Sequence, residues 1–102
     1  MRIDPEQKLK EARNTQRKSH VSTIRMAIQE FYAKNNRTYP SCLDDGNAYI
    51  EDCSELTPKY FNLLPQDPSG QAECYFIEIS SIQGVIVTAE CAENEEIIKS
   101  GQ

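Results

Sequence analysis

Four cysteines are the residues whose chemistry says most about this chain of 102 residues. They are Cys42, Cys53, Cys74 and Cys91. An even number of cysteines in a short chain is typical of a disulfide framework formed in an oxidising compartment. Zinc is the competing interpretation, but the sequence contains no C-x-x-C pair and these spacings suit no zinc knuckle or ribbon. We therefore predict two disulfides and no metal site.

The other residues with reactive side chains offer little for catalysis. The one histidine, His20, lies among polar residues in a segment of helical pattern, where a surface or packing role is expected. A cysteine–histidine pair would require a free thiol, which the predicted disulfides deny. The acid pairs Asp44-Asp45 and Glu51-Asp52 are neighbours in polar loops, where carboxylates are usually solvated. We expect no catalytic residue, no cofactor and no enzymatic activity.

The net charge of −5 is unevenly distributed along the chain. Residues 1–25 hold seven bases and three acids, whereas residues 26–102 hold four bases and thirteen acids. The basic front could bind a polyanion or the acidic part of another copy. Nucleic acid is possible but not indicated, because the chain as a whole is acidic and no aromatic residue is interleaved with the bases. Subunit contacts or anionic lipid headgroups explain the bases more simply.

A long helix is predicted over residues 4–35. Asp4, Pro5 and Glu6 provide a cap, a proline at the first helical position and an acid in the first turn. Nothing from there to Lys34 breaks a helix. About thirty residues at 1.5 Å each make a rod of roughly 45 Å, longer than a domain of this size needs to cross itself.

The two halves of this predicted helix differ in character. The rear half carries an apolar stripe that we expect to pack on the core, formed by Val21, Ile24, Ala27, Ile28 and Phe31. Between residues 5 and 20 only Leu9 and Ala12 are apolar. A helix that is polar on all sides either crosses solvent between two folded parts, is stabilised by charge pairs along its surface, or packs against another molecule. A solvated helical extension that frays is the alternative.

The rest of the chain is divided into a loop-rich connection (36–73), a β-hairpin (74–93) and an acidic tail (94–102) that we expect to be loose. The connection holds a short helical turn at 54–56 and a type I turn at 67–70, where Asp, Pro, Ser and Gly follow one another. The predicted fold is therefore a single α+β domain, with a long helix packed on a small antiparallel sheet.

The predicted hairpin also suggests how the cysteines pair. If Cys74 lies opposite Cys91, the register leaves a loop of two or of four residues within Ser80–Val85. This register brings the two cysteines face to face, and by elimination it pairs Cys42 with Cys53. Four cysteines allow three connectivities, and the hairpin favours this one.

The order of motifs resembles that of bacterial type IV pilins and of type II secretion pseudopilins. Residues 12–19 (ARNTQRKS), the apolar stripe ending in Phe31-Tyr32, and Tyr39-Pro40 are similar to the family's basic segment, paired aromatics and YP. Residues 64–70 (LPQDPSG), followed by a tyrosine and a final hairpin, are similar to its LP-x-DP-x-G segment. The resemblance covers residues 4 to about 93.

The resemblance implies a filament subunit that acts by polymerisation, in adhesion, motility or DNA uptake. The rear half of the helix would pack on the sheet and the front half would belong to the filament. The implied subunit-interface residues are Lys8, Leu9, Ala12, Arg13, Arg17 and Lys18. A hydrophobic segment ahead of Ile3 would anchor a precursor in the inner membrane, and the mature subunit would lie in an extracellular filament.

Two features depart from the family pattern. His20 stands where the family usually has an aspartate.

In major pseudopilins the loop after the hairpin helps bind calcium, and Glu90, Glu93, Glu95 and Glu96 offer oxygen ligands here, although their spacing does not require a cage. A disulfide at the end of the hairpin is unlike the common major pseudopilin, so we favour a pilin. The alternatives are a pseudopilin and a secreted, disulfide-stabilised binding module.

Overall fold

The predicted α+β fold is confirmed by a computed structural model that describes residues 4–101. One helix, α1 (Pro5–Lys34), packs on one antiparallel sheet. The strands, in their spatial order, are β1 (Asn47–Tyr49), β2 (Tyr75–Ser80), β3 (Gly84–Ala89) and β4 (Lys99–Ser100). A short 3-10 turn, Ser41–Leu43, lies between α1 and β1, and two more, Ile50–Asp52 and Ser54–Leu56, lie between β1 and β2. The predicted segments that include residues 1–3 or Gln102 reach outside the described residues.

Helix α1 begins and ends with side-chain caps. The Asp4 carboxylate accepts hydrogen bonds from the backbone N–H groups of Glu6 and Gln7, at 3.0 and 3.4 Å. At the other end the Asn35 side chain donates to the carbonyl of Phe31, satisfying one of the last free carbonyls. The helix therefore has the length that the sequence predicts. Within residues 4–101, no helix combines the length and apolarity that spanning a bilayer would require.

The rear half of α1 supplies one side of the core. Val21, Ile24, Ala27 and Ile28 are buried as predicted, and Phe31 packs on the core while partly exposed. The same hydrophobic cluster includes Ile77, Val85 and Val87 from β2 and β3 and Ile50, Cys53 and Leu56 from the connecting region. The core thus lies between the helix and the sheet, with the short turns closing one side.

The hairpin has a register that differs by one residue from the predicted one. Ser80 pairs with Gly84 around a three-residue loop, instead of the two- or four-residue loop expected. The Ser80 hydroxyl accepts from the backbone N–H groups of Ile82 and Gln83 at 3.2 and 3.1 Å, which closes the loop. Gly84 has φ +75, a conformation that other residues rarely adopt. These local contacts decide the register, whereas the expected register depends on placing Cys74 opposite Cys91.

Both predicted disulfides are confirmed, although Cys74 lies opposite Glu90 and not opposite Cys91. Cys42 is bonded to Cys53 and Cys74 to Cys91, with Cα–Cα distances of 5.2 Å in each pair. The N–H of Glu90 donates to the carbonyl of Cys74 at 2.7 Å, and the disulfide forms one residue further on. Two disulfides are typical of a protein that leaves the reducing cytosol.

The prediction of a loose acidic tail is wrong. Ile98 is buried, and Lys99–Ser100 pairs with β3 as an edge strand. The backbone N–H of Ala89 donates to the carbonyl of Ile98 at 2.9 Å. The tail carries acidic residues, but its Ile98 side chain completes the core. The region expected to be loop-rich also contains the short strand β1. The predicted turns at 54–56 and 67–70 are present.

Truncation of a core residue of α1 should cost far more stability than truncation of an exposed one. Ile28 is 0% exposed and Met26 is 60% exposed, two residues apart on the same helix. Ile28→Ala leaves a cavity between helix and sheet, and we expect a loss of about 2–5 kcal/mol in the free energy of unfolding. Met26→Ala should change it by less than about 0.5 kcal/mol. Urea unfolding measures both, and equal losses would contradict this packing.

Candidate functional site

The structure divides the front half of α1 into two parts. Residues 5–12, called here the projecting segment, are exposed apart from a half-buried Lys10. It contains the predicted interface residues Lys8, Leu9 and Ala12, and Leu9 is 60% exposed. Residues 13–20, called here the anchored segment, contact the head, which is the part of the protein formed by residues 36–101: Arg13, Asn14, Arg17 and Lys18 bond to its loops, and His20 contacts strand β2. In the described chain, Arg13 is the first helix residue whose side chain bonds to the head.

The centre of the anchored segment is a buried arginine. The Arg17 side chain is 1% exposed, and its Nε and Nη2 atoms donate to the two carboxylate oxygens of Asp67 at 2.7 and 2.9 Å. Its Nη1 atom donates to Glu93 at 2.8 Å and to Asn14 at 2.9 Å. A guanidinium group presents its donors in a fixed fork that matches a carboxylate. We call Arg17, Asp67 and Glu93 the Arg17 clamp.

Further bonds from α1 surround the clamp. Arg13 donates to both carboxylate oxygens of Glu93. The buried Asn14 side chain donates to the Glu93 carbonyl at 2.8 Å and to the Glu96 carboxylate at 2.6 Å, and it accepts from the Glu93 N–H at 3.0 Å. Lys18 forms an ion pair with Glu96 at 3.1 Å. The loop at residues 93–96 is therefore bound along one side of the helix.

The uneven charge of the sequence is thus largely neutralised within one chain. Arg17 was predicted to contact a neighbouring subunit, and this is wrong because the side chain is buried against carboxylates of its own chain. Arg13 and Lys18 also bond to the head but keep exposed surface, with 30% and 59% of their side chains accessible. Free phosphates or lipid headgroups would compete with these carboxylates for the same cations.

The acids considered as calcium ligands are held by other partners. Glu93 and Glu96 bind side chains of the anchored segment, and Glu90 accepts a hydrogen bond from the hydroxyl of Tyr49 at 2.6 Å. These three carboxylates therefore bind different groups, and those of Glu93 and Glu96 form ion pairs with cationic side chains of α1.

Hydrogen bonding keeps both acids of the clamp ionised. Burial raises the pKa of Asp67, but the hydrogen bonds from Arg17 and Ser69 more than offset this and bring it to about 2. Hydrogen bonds from Arg13 and Arg17 lower the pKa of Glu93 to about 2. The hydrogen bond to Asp67 raises the pKa of Arg17. The clamp is therefore fully charged at neutral pH.

His20 has the packing role that the sequence indicates. Its Nδ1 atom lies 2.6 Å from the hydroxyl of Tyr75, and the two rings meet edge to face at 5.4 Å. Burial lowers the pKa of His20, although the charge of Asp67 opposes this shift. Burial also raises the pKa of Tyr75. Both groups are therefore neutral at pH 7, and the pair extends the packed part of α1 beyond Val21.

Sequence reasoning missed Asn14, Asp67 and Glu93 as members of one site. A signal was present, because Asn14 and Arg17 continue the 3- and 4-residue spacing of the buried stripe at Val21 and Ile24. Reading that periodicity through polar residues would have placed both on the core side. For Asp67 the sequence indicates only the first position of a turn, a role that it also has.

Comparison with known proteins leaves the site to be interpreted from its own geometry. The chain matches no family model, no curated protein and no solved structure. The resemblance to pilins therefore rests on the motifs described from the sequence.

Removal of Arg17 should destabilise the protein strongly. Arg17→Met leaves the buried Asp67 carboxylate without its partner, and we expect a loss of about 3–5 kcal/mol in the free energy of unfolding. Lys18→Met, which removes a mostly exposed ion pair, should cost less than about 1 kcal/mol. Adding Asp67→Asn to Arg17→Met should restore much of the loss. Urea unfolding compares the three variants, and a similar cost for Arg17→Met and Lys18→Met would refute the clamp.

Acid should weaken the fold through the same carboxylates. The pKa of Asp67 is about 2 in the folded protein against an ordinary value of 3.8, and that of Glu93 is about 2 against 4.5. Both contribute stability that is complete above about pH 5 and is lost as the pH falls towards 2. Asp67 alone accounts for about 2 kcal/mol of this loss.

Urea unfolding at pH 6, 4, 3 and 2.5 measures the effect of acid. The Arg17→Met/Asp67→Asn variant is the control, because it keeps His20 and the other acids but lacks the buried pair. Its stability should fall less between pH 6 and 2.5 than that of the wild type. Parallel pH curves for the two proteins would show that the clamp has no part in acid sensitivity.

Proposed function

We propose that this protein is a structural subunit of an extracellular filament of the type IV pilus kind and acts by polymerisation. The observation that carries the proposal is the projecting segment, which extends α1 beyond the head and makes the molecule 56 × 29 × 19 Å in extent. Two exposed turns of helix bury little surface in the subunit, and short helical segments are marginal in water without packing. A neighbouring subunit would supply that packing.

The outward face of α1 also supports the proposal. Between residues 12 and 26 the exposed side chains on this face are uncharged, and all but two are small: Ala12, Thr15, Gln16, Ser19, Ser22, Thr23 and Met26. The basic residues of the same stretch turn towards the head, including Arg25, whose Nε donates to the carbonyl of Val85 at 3.0 Å. Exposed helix faces usually carry charges. Small uncharged side chains allow another helix to approach closely, as filament packing requires.

Two details favour a pilus subunit over a calcium-binding pseudopilin. The carboxylates of Glu93 and Glu96 are bound to Arg13, Arg17, Asn14 and Lys18, which supply the positive charge and donors that an ion would otherwise provide. The Cys74–Cys91 disulfide bridges the open end of the hairpin, the feature that is unlike the common major pseudopilin.

Electron microscopy of the bacterial surface tests the proposal directly. The native gene is expressed in its host, surface filaments are sheared off, and antibody raised against residues 36–101 is applied with gold labelling. We expect labelled filaments. Detection of the antigen only as a folded monomer in the medium would contradict the proposal and support a secreted binding module.

A pair of arginine substitutions tests the outward face of α1. Ser19→Arg places a charge and a long side chain on this face, and we expect filaments to be lost while the subunit still folds. Ser81→Arg, in the exposed loop between β2 and β3, is the matched control and should leave assembly unchanged. Thermal unfolding of both purified variants confirms the fold. Normal assembly of the Ser19→Arg protein would exclude this face from subunit contacts.

A further inference from the structure

One disulfide joins the two loops that hold the Arg17 clamp. Asp67 precedes Cys74 by seven residues and Glu93 follows Cys91 by two. A carboxylate oxygen of Asp67 and the sulfur atoms of Cys74 and Cys91 all lie within 4.8 Å of one another. The bridge therefore lies directly beside the place where the guanidinium group of Arg17 enters the head.

Few other bonds connect these loops at that position. The ladder between β2 and β3 ends at the pair Tyr75 and Ala89, followed by one backbone bond from Glu90 to Cys74. Beyond this bond, the disulfide is the covalent link between the loop of Asp67 and the loop of Glu93. The spacing of the two carboxylates that hold Arg17 thus depends on this bridge.

We propose that the Cys74–Cys91 disulfide is a redox latch for the front of α1. A dithiol reductant that opens the bridge lets the two loops separate, and the anchored segment (residues 13–20) is released from the head. The rear of the helix remains packed, because Ile24 and Ile28 contact the core independently of these loops. The redox state of one bridge therefore sets how much of α1 is free. This inference does not depend on the proposed function.

The structure indicates which sulfur the reductant attacks. Cys91 is partly exposed and lines an open cavity of about 320 Å³ together with Arg13 and Arg17, whereas Cys74 is 1% exposed. A thiolate of the dithiol attacks the Cys91 sulfur, the S–S bond breaks, and Cys74 leaves as a thiolate. The second thiol of the reductant then displaces Cys91. Two electrons pass to the protein, both cysteines take up protons, and the dithiol becomes a disulfide.

The second disulfide provides an internal control. Cys42–Cys53 links the 3-10 turns that follow α1, where the Glu55 carboxylate accepts from the Ser41 hydroxyl at 2.9 Å and from the Cys42 N–H at 3.2 Å. It lies near the C-terminal end of α1, where Phe31 and Asn35 line one open cavity together with Ser41 and Glu55. Its loss should therefore leave the anchored segment in place.

Hydrogen exchange measured residue by residue tests the latch. In the Cys74→Ala/Cys91→Ala variant we expect amides 17–21 to exchange at least tenfold faster than in wild type, while amides 25–32 keep their protection. The Cys42→Ala/Cys53→Ala variant should not show this front-only change. Unchanged protection of residues 17–21, or an equal loss along all of α1, would overturn the proposal.

A second experiment keeps both bridges and so does not depend on the folding of a cysteine variant. If the bridge stabilises the clamp, the clamp must stabilise the bridge by the same free energy. In the Arg17→Met/Asp67→Asn variant we expect Cys74–Cys91 to be half reduced at about tenfold lower dithiothreitol concentration than in wild type. Cys42–Cys53 should not change. Thiol alkylation and mass spectrometry quantify each bridge, and identical midpoints for Cys74–Cys91 would refute the latch.

Discussion

The bidentate bond between Arg17 and Asp67 is the interaction on which the arrangement of this protein depends. It lies where a polar helix has few apolar side chains to bury, and it replaces hydrophobic packing with two directed hydrogen bonds. A buried ion pair of this kind contributes little net stability compared with a well-packed apolar pair. Its geometry, however, acts together with the buried stripe of α1 to fix the rotation of the helix about its own axis, so that the uncharged face points outward.

Two kinds of contact therefore hold the helix along its length. The rear is held by non-directional burial of Ile24 and Ile28 in the core. The front is held by charged and amide side chains, from Arg13 to Lys18, on two loops that a disulfide ties together. We expect the first kind to resist acid and reductant and the second to respond to both. The molecule would then have a stable core and a front half of α1 whose attachment depends on pH and redox conditions.

Much of the fold could be predicted from sequence because its signals are local. The cap at Asp4, the apolar stripe ending at Phe31 and the turn at 67–70 each follow from neighbouring residues. Strand β4 could not be predicted, because a two-residue strand and one buried isoleucine leave no periodic pattern. The clamp was missed for a different reason. Asp67 and Glu93 lie 50 and 76 residues from Arg17 in the sequence. In addition, polar residues that continue the spacing of a core stripe are normally expected on the surface.

The state of the Arg17 guanidinium group in solution tests this account most directly. Nuclear magnetic resonance at neutral pH can observe the side-chain N–H groups of this one residue in ¹⁵N-labelled protein. The account predicts a slowly exchanging Nε–H and separate signals for the Nη protons, since both ends of the fork are bonded to buried acceptors. A single averaged Nη signal with rapid exchange, as for a solvated arginine, would contradict it.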